Sequence, residues 1–320
     1  MAHIKKVAIV GATGTVGSHI IQELLNGGKH EVTAITREDS KAEIPSGVKA
    51  AKVNYDDHTS LVSALEGQEV LIITMNVRAP QDQSLKLANA AADANVPFVI
   101  PNDWGCDIQN QALIERIPLK RSLFALHRHI EELGKSAWIS IVENFWYEFS
   151  LGGGKHRYGF DFNERSVTFF DDGKMPINTT TWPQTGRAVA ALLSLPAYPN
   201  GDGDKRVTLS SYKNKAVYIS SFCISQKDMF ESVLRVTATK EEDWKISYED
   251  SAKRYEEAQE ELKAGSIPGF IRSMYTPIFY PDGSGCYEKD RVLDNDVLGL
   301  PKEDLDEFTK IAISRKDVVY

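Results

Sequence analysis

Gly11, Gly14 and Gly17 stand three apart, directly after the apolar run 7–10, and residues 18–25 follow with helical spacing. A strand, a glycine turn and a helix start, in that order, make an anion site. The turn must be tight, and the backbone must come close to a pyrophosphate, so a Cβ is excluded at its glycines. The helix start offers free N–H groups and the positive end of its dipole. Thr13, Thr15 and Val16 lie between the glycines and share that backbone. The spacing is G-x-x-G-x-x-G rather than the usual G-x-G-x-x-G. In this strand-to-helix context it predicts a bound dinucleotide. The alternative is a turn that only reverses the chain.

The second predicted strand, 31–36, bears on which dinucleotide. An acid about 20 residues past the glycines commonly holds a ribose 2′-hydroxyl. Here that place carries Thr36 and Arg37. A guanidinium fork pairs with phosphate oxygens, which suits a 2′-phosphate, and Ser40 and Lys41 are placed to complete the pocket. The reading is NADP(H) rather than NAD(H). The competing reading has Arg37 solvated and paired with Glu38 or Asp39, or those acids turned inward to favour NAD.

Further candidates sit where later strands end. Thr74, Met75 and Asn76 follow the fourth strand, beside the expected pyrophosphate and nicotinamide ribose. Gln83 opens the next helix, toward the nicotinamide. Asp56 follows the third strand, as an adenine contact or a plain loop acid. Pro101, Asn102 and Asp103 follow the fifth strand along the cofactor. Trp104 comes next, with an indole suited to stacking on an aromatic substrate or on the nicotinamide, or to packing under a second lobe. Phe145 and Trp146 follow the sixth strand, as substrate-cleft residues or as core.

These positions require a particular scaffold. Strands at 7–10, 31–36, 49–53, 70–74, 98–100 and 138–142 alternate with helices at 18–25, 59–66, 81–94 and 123–133. That alternation predicts an α/β fold with a doubly wound parallel sheet, whose ligands lie at the C-terminal strand ends. The division expected is a dinucleotide-binding domain over 1–150 and a mainly substrate-binding lobe over 151–320, with parts of the later chain returning to the first. In the second half, strands are expected at 166–170 and 216–220. Helices are expected at 186–195, from a capping box at 225–228 to 234, at 251–263 and at 301–312.

The 320 residues are 42% hydrophobic and 26% charged, ordinary for a globular protein with a sizeable core. A net charge of −8 and the lack of a basic run argue against a nucleic-acid partner. No metal-ligand spacing appears. Three cysteines, far apart and odd in number, argue against a disulfide framework. With the first strand entered directly, no signal peptide is expected, and no apolar stretch is long enough to span a membrane. A cytoplasmic monomer or homodimer is expected.

The glycine pattern, Thr36-Arg37 and the run 101–105 (Pro-Asn-Asp-Trp-Gly) together resemble the NmrA-like branch of atypical short-chain dehydrogenases, which includes the isoflavone reductase-like group. Segments 144–151, 282–287 and 293–300 look like those of its fungal members. The resemblance covers nearly the whole chain. It implies a Rossmann domain with a small α/β substrate lobe, NADPH, and reduction of a small aromatic or conjugated metabolite, in the setting of secondary metabolism. It also admits a non-catalytic NAD(P) sensor acting through a protein partner.

Ordinary members of the wider superfamily use Tyr-x-x-x-Lys, yet none of the twelve tyrosines here has a lysine four residues later. The reductase group uses a lysine on the helix after the fifth strand, and by register that position is Leu123. Lys120 and His127 lie one turn either side on the same helix face. They are the proton-donor candidates, with Tyr147 as a third. The plainer alternatives are a solvated Lys120 and a surface or capping His127.

Overall fold

The structure, a computed structural model, describes residues 2–76, 78–80, 82–117 and 120–315, and of residues 120–123 the helical backbone only. The first half runs β1 (Lys6–Val10), α1 (Thr15–Gly27), β2 (Glu31–Arg37), β3 (Lys49–Val53), α2 (His58–Leu65), β4 (Val70–Ile73), α3 (Gln83–Asp93), β5 (Phe98–Ile100), α4 (Gln111–Arg116), α5 (Lys120–Leu133) and β6 (Ala137–Val142). The second half runs β7 (Phe145–Trp146), α6 (Tyr147–Leu151), β8 (Phe160–Asp161), β9 (Ser166–Phe170), β10 (Ile177–Thr180), α7 (Trp182–Ser194), β11 (Lys215–Tyr218), β12 (Phe222–Ile224), α8 (Gln226–Thr237), β13 (Lys245–Glu249), α9 (Ser251–Lys263), α10 (Ile267–Tyr275) and α11 (Leu305–Ser314).

Seven parallel strands form the central sheet in the order β11-β6-β5-β4-β1-β2-β3. The order reverses between β1 and β4, and a crevice opens at such a switch point. The central strands read as unbroken apolar runs because both faces are covered. Every residue of β4 is buried. On α1 the buried residues Val16, Gly17, Ile20, Ile21 and Leu24 form one stripe at helical spacing. Helix α7 packs on α1 so closely that a Cβ at Gly186 would lie 2.8 Å from the His19 carbonyl carbon.

Two elements of the second half thus belong to the first layer. The strand expected at 216–220 is β11, the edge of the main sheet beside β6. The helix expected at 186–195 starts at Trp182, because Thr181 caps it and Pro183 sits in its first turn. Two three-stranded sheets, β12-β10-β7 and β13-β9-β8, build the rest with α8 to α11. Their core is aromatic, with Tyr147, Tyr158, Phe160, Phe169, Phe170, Phe230 and Phe279 all buried.

Candidate functional site

The strand after Lys6 ends at Val10, and the chain must turn at once to enter α1. Gly11 does so at φ +81°, a left-handed conformation that favours glycine. A Cβ there would overlap the Thr74 carbonyl oxygen and approach the Thr74 hydroxyl to 2.7 Å, and one at Gly17 would overlap the Gly11 carbonyl. Both glycines are therefore required by the fold itself. Gly14 differs. A Cβ there would meet only the Gly11 carbonyl oxygen, at 3.2 Å, so its bareness leaves the outer surface of the turn open. That is the cradle a pyrophosphate needs.

The helix starts carry the same message. Asp57, Asn110, Thr181, Ser225, Asp250, Ser266 and Asp304 cap α2, α4, α7, α8, α9, α10 and α11 with side-chain hydrogen bonds. By contrast α1 begins at Gly14 with no side-chain cap and no acid in its first turn. Helix α3 begins at Asp82, also without a capping bond. Both starts follow the C-terminal ends of β1 and β4, either side of the switch point. Helix α6 likewise starts, at Trp146, without a side-chain cap. N–H groups at a helix start need partners, and at α1 no side chain of the protein supplies one.

The loops after β4 and β5 brace the turn. The Thr74 hydroxyl donates to the carbonyls of Val10 (2.8 Å) and Gly11 (3.2 Å). Asn102 pairs with the backbone of Met75 in both directions, accepting from its N–H at 3.0 Å and donating to its carbonyl at 3.1 Å. Trp104 donates its indole N–H to the Ile73 carbonyl at 2.9 Å and packs, partly buried, on the sheet core. The structure thus brings Gly11, Gly17, Thr74, Met75, Asn102 and Trp104 to one edge. Asn76 accepts from the Arg78 N–H in a local turn. Thr13 and Thr15 are exposed on the turn, and Pro101 is buried just after β5. Gln83 is the first residue of α3.

At the end of β2, the Arg37 side chain is 68% exposed and lies 3.6 Å from Asp39. Exposed pairs of this kind are weak, so the guanidinium remains available. Thr36 precedes it in β2, and the Ser40 hydroxyl accepts from the Ala42 N–H. Lys41 is exposed nearby. Asp56 is exposed and bonded to Lys86 at 2.7 Å.

The proton-donor candidates lie elsewhere than expected. His127 is neither solvated nor a cap. It is buried, with Nε2 at 2.8 Å from the Asp103 carboxylate and its ring stacked 4.1 Å from Trp138. It ties α5 to the loop after β5. Leu126 and Ile130 bury the same face of α5, which is the signal at helical spacing that marks position 127 as inward. Tyr147 is fully buried in the second lobe, and its hydroxyl meets the Thr309 hydroxyl at 2.7 Å. Burial holds that phenol well above the usual tyrosine range. The expectation of Tyr147 as a donor at the cleft gives way to a core role. The Lys120 and Leu123 side chains lie outside the described residues. Phe145 stacks on Tyr275 at 4.0 Å, and Trp146 donates its indole N–H to Glu143 at 2.9 Å; both are half-buried where β7 leaves β6.

Two carboxylates went unnoticed in the sequence. Glu143, fully buried at the end of β6, accepts from Trp146 and from the Thr185 hydroxyl at 2.5 Å. Glu148 accepts from the Trp182 N–H at 2.9 Å, while its second oxygen has no partner. Burial pushes its pKa up to about 7. No sequence pattern marks either, since the partners that bury them, Thr185 and Trp182, lie far along the chain. Among the described residues no group of three potential metal ligands occurs, and no helix is long and apolar enough to cross a membrane.

The order β3-β2-β1-β4-β5-β6 with a glycine turn at the switch point defines a Rossmann-type α/β fold. Residues 3–149 match the model of the NmrA-like family. Oxidoreductase aprR of Aspergillus flavus is 27% identical over 307 residues, covering 94% of this chain and 96% of that one. Among solved structures, isoflavone reductase superposes with a TM-score of 0.73 at 17% identity, covering 96% of this chain and 98% of that one. AtPrR2 with NADP+ and (+)pinoresinol gives 0.75 at 18% identity, covering 98% and 100%. Both likenesses extend over nearly the whole chain.

Proposed function

We propose that this protein is an NADPH-dependent reductase that transfers hydride to a small aromatic or conjugated molecule. The observation that carries this reading is the uncapped start of α1 behind Gly14, with Gly11 and Gly17 locked by Thr74. Thr15, Val16 and Gly17 would hold the pyrophosphate through backbone N–H groups, and Arg37 the 2′-phosphate. Bound NADPH would supply the hydride. The protein's own part is to hold the loops after β4 and β5 rigid and to present Trp104, Phe145 and Trp146 as apolar walls. The full-length similarity to a chain named as an oxidoreductase supports the activity. AtPrR2, solved with NADP+ and (+)pinoresinol, supports the cofactor and the substrate class.

One observation favours a second reading, a dinucleotide-binding regulator. His127 and Tyr147 are both engaged in packing, and the position of the family lysine is Leu123. The test is turnover of quinones, enones and aromatic ethers with NADPH deuterated at C4. A reductase places the deuterium on the product, read by mass spectrometry. Tight NADPH binding with no deuterium transfer to any panel member supports the regulator instead.

A further inference from the structure

We infer that Cys223 and Cys286 form a redox-active dithiol that closes to an intramolecular disulfide when the protein meets a small-molecule disulfide such as oxidised glutathione. The two sulfurs lie 3.2 Å apart across 63 residues of sequence. Spacing in the chain gives no hint of this pairing. The structure creates it through one residue, Asn178.

Asn178 of β10 is the cross-strand partner of Cys223 in β12. Its backbone N–H donates to the Gly285 carbonyl at 2.9 Å. Its side chain donates to the Glu288 carboxylate at 2.8 Å and accepts from the Glu288 N–H at 3.2 Å. The same residue therefore holds the strand of Cys223 and the loop on both sides of Cys286. Asn144 adds a second clamp on the Gly285 carbonyl, at 3.1 Å. With both backbones fixed, the sulfurs need to approach by about 1.2 Å to reach bonding distance, a movement within reach of side-chain rotation.

Cys223 is half-buried, whereas Cys286 is 2% exposed. Cys286 also lines a cavity of about 140 Å³ with Asp107, Ser284 and Arg291. Cys223 is thus the thiol a small disulfide reaches first. Its thiolate attacks one sulfur of the reagent, forms a mixed disulfide and expels one thiolate. Cys286 then loses its proton and attacks the Cys223 sulfur, expelling the second thiolate. Two protein thiols are oxidised, one reagent disulfide is reduced to two thiols, and the two protons go to the leaving groups. Burial and the neighbouring thiol hold Cys223 above the ordinary thiol range, so the first step is slow. The product would fasten the edge of the β12-β10-β7 sheet to the loop at 282–287, which also contacts Asn144 at the end of β6.

The test is incubation of the native protein with oxidised glutathione at mildly alkaline pH, followed by thiol counting in denaturant and peptide mapping without reduction. The expected result is a fall from three thiols to one, with one peptide pair joined through Cys223 and Cys286 and the Cys106 thiol still reduced. The Cys106→Ala variant should lose two thiols in the same way, and Cys223→Ala or Cys286→Ala should give no internal cross-link. Three thiols persisting over days, a stable glutathione adduct on Cys223, or disulfides only between molecules would each overturn the inference. None of these outcomes depends on whether the protein binds NADPH or reduces a substrate.

Discussion

At the sheet edge, Gly11, Gly14 and Gly17 keep side chains out, and the polar work falls to backbone N–H and carbonyl groups. In the second lobe the arrangement is reversed. Buried Asn178, Thr179 and Thr180 sit inside an aromatic core, and side chains satisfy the backbone. Thr180 donates to the Glu143 carbonyl at 2.8 Å and Thr179 to the Phe145 carbonyl at 2.6 Å. One region is thus open to an anion, while the other is closed on itself. The difference teaches where a ligand is to be sought: an uncapped helix start behind a glycine turn at the switch point has room for one, whereas Asn178, Thr179 and Thr180 already have partners.

The largest effect should come from filling the turn. Gly11→Ala and Gly17→Ala each drive a Cβ into a carbonyl oxygen, and Gly11 also holds a positive φ. A loss of about 2–4 kcal/mol in stability is expected, read by chemical denaturation, together with loss of cofactor binding. If both variants are as stable as wild type, the turn is looser than described.

The second lobe is tested through Glu148. Its folded pKa of about 7 lies above its ordinary value of 4.5, so the folded state holds the proton more tightly than the unfolded chain. The stability this brings is fully present below about pH 4.5 and is lost as pH rises through about 7. The loss is on the order of 3 kcal/mol. Glu148→Gln keeps an acceptor for the Trp182 N–H and removes the charge. Its unfolding midpoint should exceed that of wild type above pH 7 and converge with it near pH 4.5. Parallel curves across that range would show that Glu148 does not titrate there.

Arg37→Ala should weaken NADPH binding by about 10–100-fold, as expected for a lost charge-assisted phosphate contact, and leave NADH binding unchanged. An equal effect on both cofactors would remove Arg37 from the 2′-phosphate pocket. The smallest effect is expected from Tyr147→Phe. It forfeits one buried hydrogen bond to Thr309, worth about 1 kcal/mol of stability, with turnover and NADPH affinity unchanged. A large fall in turnover would restore Tyr147 to the reaction.

Legibility in the sequence follows the same division. Strands β3 and β5 match their expected bounds, and the other sheet strands of the first half lie within a residue or so; the central ones, β1, β4, β5 and β6, announce themselves as buried apolar runs. Helix α9 and strand β9 were also legible, from polar periodicity and from a bounded β-branched and aromatic run. Strand β10 was not. Its sequence Ile-Asn-Thr-Thr reads as a loop until the long-range partners of its polar groups are known. Helix α10 begins Ile-Pro-Gly, which reads as a break. Ser266 caps it, and Gly269 allows close approach to α9, where a Cβ would lie 2.8 Å from the Leu262 nitrogen. Of the candidate site, the glycine turn, Thr74 and Asn102 were legible because the switch point brings together residues at strand ends. The inward turn of His127 and the core position of Tyr147 depend on partners more than 20 and 160 residues away in the chain.

The central claim is that the surface of the turn at Gly14 is open for a dinucleotide phosphate. Gly14→Val tests it most directly, because a Cβ there meets only the Gly11 carbonyl oxygen, a close contact at 3.2 Å that a small shift of the turn relieves, whereas a Cβ at Gly11 or Gly17 overlaps backbone. NADPH fluorescence titration of wild type and variant, with circular dichroism as a check on folding, is the measurement. The account predicts a folded variant whose NADPH affinity has fallen by about 100-fold or more, the scale of several lost hydrogen bonds to a charged group, while wild type binds NADPH more tightly than NADH. A folded Gly14→Val protein that binds NADPH as wild type does would contradict it.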